Sequence, residues 1–262
     1  MVIKYSALKE KDINYLKFIL KSGTVTAQQI FLKFQENNIY AVYRRLRKLK
    51  ERGFVRHEML AHKVGVYIGT TEARDLVEAD VTVPAKLSLY TIKHELLLTD
   101  LALYYEFFLK KKGIEFAYKS EREIRFEAIG EGDNASKLKK YNENRERIPD
   151  SIFFMKVNGI TQKIWIELEI NKKEQKRYDE KFKEVFEPAL SSGDYAQVWY
   201  FANSVKIKNG VVTAKNKLLN GDKIKVYDIP EVILKDKWEE VLPNESRNDG
   251  KTTGEGESGP GN

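Results

Sequence analysis

The chain has 262 residues, 42% of them hydrophobic and 11% aromatic, with three histidines and no cysteine. This is enough length and apolar content for two folded domains, each with its own core, and it excludes disulfide frameworks, thiolate zinc sites and cysteine nucleophiles. Of the formal charge of +7, nearly all lies at one end, because residues 1–80 hold 15 Lys/Arg against 9 Asp/Glu and the remainder 31 against 30, an asymmetry that suits a phosphate backbone as partner.

In chain order, Ile13, Leu16, Ile19 and Leu20 mark one face of a helix over 10–21, stopped by Gly23. Thr26 and Gln29 form a capping box for a short second helix backed by Ile30, Phe31 and Phe34. Beyond the Asn37-Asn38 turn, Ile39, Val42, Tyr43, Leu46 and Leu49 supply the apolar face of a third helix ending at Gly53, and Tyr43 is assigned to the core. Its opposite face carries Arg44, Arg45, Arg47, Lys48 and Arg52; across 37–56 there are seven basic side chains against the single acid Glu51. An exposed helix normally mixes charge signs to gain i,i+4 pairs, so this stretch reads as a contact with double-stranded DNA. Tyr40 and Arg44 are placed for base edges and Arg47, Lys48 and Arg52 for phosphates, and Arg45 counts among the DNA contacts. Two β-prone runs, 54–60 and 64–69, flank a polar turn at His62-Lys63 and read as a wing.

Past Pro84 the sequence predicts a long buried helix over 87–112, strands over 114–118 and 123–128, and a polar surface loop over 130–147. Strands over 148–157 and 163–170 are joined at Asn158-Gly159, a hairpin signal. A helix over 173–186, a strand over 197–201, an ambiguous 203–220 and a short strand over 224–227 follow, and 243–262 lacks apolar residues, as a disordered tail would. No apolar run reaches the ~18 residues of a membrane helix, and residues 1–11 lack a signal-peptide core, so no membrane partner and a cytoplasmic location are expected.

Chemistry concentrates on acids in an otherwise apolar hairpin. Glu167 and Glu169 are two apart and share a face of their strand; unpaired burial of two carboxylates costs several kcal/mol, so cations or a metal must compensate. With Asp150 across the hairpin, three carboxylates would converge within ~5 Å and suit Mg2+, or Mn2+ as its substitute, with Asp150 and Glu167 as metal ligands and Lys173 assisting an attacking water. The non-catalytic alternative is a salt-bridge cluster of Glu167 and Glu169 with Lys173 and Arg177.

Several stretches resemble known families. YAVYRRLRKLKERGFV and GVYIGTTEARDLVE resemble the recognition helix, wing strands and closing helix of bacterial winged-helix proteins. The Pro149-Asp150 and Glu167-Leu168-Glu169 pattern resembles the PD-(D/E)xK nuclease fold, with Glu169 in the usual lysine place. IKHELLLTDLALYY, RIPD and WIELEINKKEQKRY, in that order, resemble the replication-relaxation family of Gram-positive plasmids and mobile elements. That resemblance covers about 5–200 and carries over His94, Asp100, Asp150, Glu167, Glu169, Lys173 and Arg177, with Glu95 or Glu106 as alternatives to His94. It implies an α+β protein made of a winged helix-turn-helix domain (1–82), a nuclease-like α/β domain (84–242) and a tail. The implied function is DNA binding that assists replication, relaxation or mobilisation, with a relaxase or replication initiator as partner and a homodimer as the common symmetric form. The competing readings are a Mg2+-dependent endonuclease, in which His94, Asp150, Glu167, Glu169 and Lys173 act catalytically, and a winged-helix transcription regulator.

Overall fold

The computed structural model describes residues 8–60, 64–83, 86–129 and 147–238 and is a mixed α+β fold. The turn at His62-Lys63, Pro84, nearly all of the 130–147 loop and the 243–262 tail lie outside the described residues.

The first unit runs α1 (Glu10–Ser22), β1 (Thr24–Thr26), α2 (Ala27–Lys33), α3 (Ile39–Glu51), β2 (Val55–Met59), β3 (Gly65–Gly69) and α4 (Thr71–Val77). Local chemistry sets its boundaries. The Thr26 side chain accepts from the Gln29 amide, and the Gln29 side chain accepts from the Thr26 amide, closing the capping box of α2; Asn38 caps α3 by accepting from the Tyr40 amide. Strand β3 lies between β1 and β2 in a small antiparallel sheet. Val42, Leu46 and Leu49 are buried against α1 and α2, but Tyr43 is 48% exposed. The core assignment of Tyr43 is therefore corrected: one residue on from Val42 is a 100° step around the helix, which carries its ring to the shoulder of the buried stripe.

The second unit opens with α5 (Leu89–Lys111), capped by the Ser88 side chain accepting from the Thr91 amide. A five-stranded sheet follows in the order β4-β5-β6-β7-β8: β4 (Glu115–Ser120), β5 (Ser151–Val157) and β6 (Ile160–Glu169) are antiparallel, while β7 (Gln197–Ala202) and β8 (Ile224–Asp228) continue parallel to β6. Asn158 and Gly159 turn the β5–β6 hairpin with φ of 51° and 80°, the left-handed pair that a two-residue turn of this kind demands. Residues 121–129, whose part 123–128 the sequence reading assigns to a strand, form helix α6 (Glu121–Ile129). The reason is a second capping box, in which the Glu123 amide donates to Ser120 Oγ and the Ser120 amide donates to the Glu123 carboxylate. Helix α7 (Gln175–Lys181) passes through a π-helical turn at Phe182–Phe186 into α8 (Glu187–Ser191), and α9 (Val205–Lys215) resolves the ambiguous segment as helix. A short α10 (Glu231–Leu234) is the last element among the described residues.

Alternation along β6 divides the core. Ile164, Ile166 and Leu168 face α5 with Leu101 and Phe153, while Trp165 faces Tyr178, Phe182 and Phe186 on the other side. Helix α5 is apolar nearly all round because both of its sides are covered. Leu101 and Leu109 pack on the sheet, whereas Leu103 and Phe107 join the core of the first unit, as does Trp238. The expectation of two separate cores is thus revised: the first unit completes its core with a helix of the second.

Polar contacts reinforce that junction. Thr24 Oγ1 donates to Glu95 Oε2 at 2.6 Å, and Arg122 donates to Glu95 Oε1 through Nη2 at 2.7 Å and Nε at 3.1 Å, all buried. Gln29 Nε2 donates to Asp100 Oδ1 and to the Leu96 carbonyl, and Lys33 pairs with Glu106 at 2.7 Å. Gly23 has φ +88°, and a Cβ there would lie 2.1 Å from Arg122 Nε, so backbone conformation and close approach both require glycine.

Candidate functional site

Two regions carry concentrated charge. On α3, Tyr40, Arg44, Arg47 and Lys48 fall at i, i+4, i+7 and i+8 and are all exposed, Tyr40 by 72%. Arg44, Arg47 and Lys48 line a concavity of about 300 Å3 with Lys9, Arg45 and Arg52. Arg45 also has a partner within the chain: Asp12 of α1 binds its guanidinium, which lies over the Tyr15 ring. It is thereby oriented and its charge is partly neutralised. Glu51 approaches Arg47 only to 3.8 Å, both side chains being well exposed, and such a pair contributes little.

The second region is the end of the large sheet where β5 begins and β6 ends. Leu168 organises it: its amide donates to Asp150 Oδ2 at 2.8 Å, and its carbonyl lies 3.0 Å from His94 Nε2 of α5. The same imidazole nitrogen is 3.3 Å from Asp150 Oδ2. Burial alone would lower the His94 pKa, but the charge and hydrogen bond of Asp150, helped by Glu121, outweigh it and raise the pKa to about 9. Asp150 answers in kind, since burial would raise its pKa and the His94 cation instead holds it below the usual carboxylate range. Glu121, at the start of α6, is raised by burial, with Arg125 bound to it as the main opposing influence.

Glu167 and Glu169 are both buried, on the opposite face of β6. Glu167 accepts from Trp165 Nε1 and from Lys181 Nζ, each at 2.8 Å, and burial still lifts its pKa to about 7. Glu169 pairs with Lys173 at 2.5 Å and accepts from Tyr200 Oη at 3.1 Å. The salt-bridge alternative therefore describes both acids, with Lys181 rather than Arg177 as the partner of Glu167. Asp100 is remote in role: it holds Gln29 at the junction, where burial raises its pKa to about 7. Glu95 and Glu106, the alternatives to His94, are likewise engaged at the junction, by Arg122 and Lys33.

The expected convergence of Asp150, Glu167 and Glu169 is not what the fold provides. Among the described residues, the three side chains whose ligand atoms all lie within 4.8 Å of one another are His94, Glu121 and Asp150. The alternation that puts Glu167 and Glu169 on one face also turns them toward α7, while the Asp150 carboxylate bends to the Leu168 amide and α5. A magnesium ion shared by Asp150 and Glu167 does not fit these residues: Trp165 and Lys181 hold both oxygens of Glu167 on the opposite face of β6. Glu121 escaped the sequence reading because it falls between the strands assigned to 114–118 and 123–128; the Ser120-x-x-Glu123 cap was the signal that would have found it.

The chain matches no protein-family model, no curated protein and no solved structure. Among the described residues, no helix is long and apolar enough to cross a membrane.

Proposed function

We propose that the chain is a double-stranded DNA-binding protein in which a winged helix-turn-helix, residues 8–77, docks α3 in the major groove. The observation that carries this reading is the exposed row Tyr40, Arg44, Arg47 and Lys48 beside a cationic concavity, on a helix whose other side is fixed in the core. Order and pairing of α1, α2, α3 and the β2–β3 hairpin support the winged-helix assignment. The antiparallel β4-β5-β6 followed by parallel β7 and β8, with α5 on one face and α7 to α9 on the other, supports a restriction-nuclease-like fold for the second unit. In that unit Glu167 and Glu169 are matched by Lys181 and Lys173, so the endonuclease reading loses the centre of Asp150, Glu167 and Glu169 that it required. A role in replication, relaxation or mobilisation of a plasmid or mobile element rests on the sequence resemblance.

The test is a salt titration of duplex affinity, followed by fluorescence anisotropy, for the wild type and Arg44→Ala/Arg47→Ala. Each lost phosphate contact should flatten the log–log salt slope by about 0.9, so the double variant should bind more weakly with a slope shallower by roughly 1 to 2. Unchanged affinity and slope would refute the reading.

A further inference from the structure

Between the end of α1, α5, β4, α6 and the start of β5 lies a cavity of about 20 Å3, room for about one water-sized particle. Glu121, Asp150, Ser151 and Thr99 line it, and so does Ser22. Ser22 is only 8% exposed and faces the Tyr118 hydroxyl, which also lines the cavity, and its Oγ completes no hydrogen bond of good geometry, an arrangement that buried hydroxyls avoid unless something else meets them. Immediately alongside, His94, Glu121 and Asp150 bring one ligand atom each within 4.8 Å of one another. Three elements, α5, α6 and the β5 entry, supply these ligands.

We propose that His94, Glu121 and Asp150 bind one divalent first-row transition-metal ion, with a metal-bound water in the adjoining cavity donating to Ser22 Oγ. One imidazole nitrogen with two carboxylates is a donor set for Mn2+, Fe2+ or Zn2+; Mg2+ prefers oxygen ligands alone. The two carboxylates match the ion's charge. The Leu168 carbonyl, 3.0 Å from His94 Nε2, places a further oxygen at the edge of the site. Binding displaces the proton that His94 shares with Asp150, and Arg125 keeps one oxygen of Glu121 while the other turns to the ion. His94 and Glu121 directly adjoin Glu95 and Arg122, the buried pair that holds Thr24, so the ion would tie three elements of the second unit together beneath the junction. This inference does not depend on the DNA-binding proposal.

The experiment uses the full chain stripped with EDTA and titrated with MnCl2, free Mn2+ being read by electron paramagnetic resonance. One Mn2+ per chain is expected. His94→Gln and Glu121→Gln should each weaken binding by more than the roughly 10-fold that loss of even an outer-shell partner costs, and Glu167→Gln should leave it unchanged. On the wild type itself, substoichiometric Mn2+ should broaden the imidazole signals of His94 and spare those of the other two histidines, His57 and His62, a readout independent of variant folding. Absence of stoichiometric binding, equal broadening of all three histidines, or loss of binding in Glu167→Gln with His94→Gln unaffected would each overturn the assignment.

Discussion

Replacing Arg122 by Met tests the junction most sharply. Arg122 is 6% exposed, and it gives Glu95 two of its hydrogen bonds while Nη1 donates to the Thr82 carbonyl at 2.9 Å. Without it, Glu95 stays buried with Thr24 as the remaining donor shown. An uncompensated buried charge of this kind costs about 3–5 kcal/mol, against the 0–1 kcal/mol of an exposed pair. Glu95→Leu/Arg122→Met removes both charges and retains apolar volume, so it should recover most of the loss, giving a coupling energy of about 2 kcal/mol or more. Urea denaturation followed by far-ultraviolet circular dichroism supplies the four free energies of the cycle. A single-variant loss under about 1 kcal/mol, or a double variant no better than the single, would show that the pair does not hold the two units together.

Other consequences follow from the same geometry. Gly23→Ala combines a φ of +88° with a Cβ 2.1 Å from Arg122 Nε, and it should cost more than the ~1 kcal/mol of an ordinary Gly replacement at positive φ; a neutral effect in urea denaturation would contradict the close approach. Phe107, 2% exposed in the core of the first unit, should cost about 3–5 kcal/mol when changed to Ala, and loss of α1–α3 protection in hydrogen exchange should accompany it. His94 has a folded pKa raised to about 9 from 6.5, so its stabilisation is complete below about pH 6.5 and is lost as pH rises through 9. In EDTA, the stability difference between wild type and His94→Gln should shrink by up to about 3 kcal/mol across that window; a difference independent of pH would refute the His94–Asp150 pairing.

Legibility of the sequence followed the range of the interactions involved. The α3 period, the Thr26 capping box and the Asn158-Gly159 turn depend on residues within one helical turn or one hairpin, and each is where local chemistry puts it. Period-two alternation correctly gave Glu167 and Glu169 one face. It could not say that Lys181, 14 residues on, would meet Glu167, because that pairing depends on how α7 packs across the sheet. Asp150 was read as an opposite number of the strand acids, yet the Leu168 amide and His94 draw its carboxylate elsewhere. The shared core was hidden for a related reason: an apolar helix announces that it is buried, not which neighbours bury it, so the alternating commitments of Leu101, Leu103, Phe107 and Leu109 to two cores emerge only in three dimensions.

The central claim is that the exposed face of α3 touches duplex DNA, and photo-crosslinking reads that contact directly. A photoreactive phenylalanine analogue at position 40, on the 72%-exposed Tyr40 site, is compared with the same analogue at position 219, where Leu219 is 95% exposed on the far unit. The account predicts crosslinks to labelled duplex from position 40, suppressed by unlabelled duplex, and none from position 219. Crosslinks from position 219 with none from position 40 would contradict it.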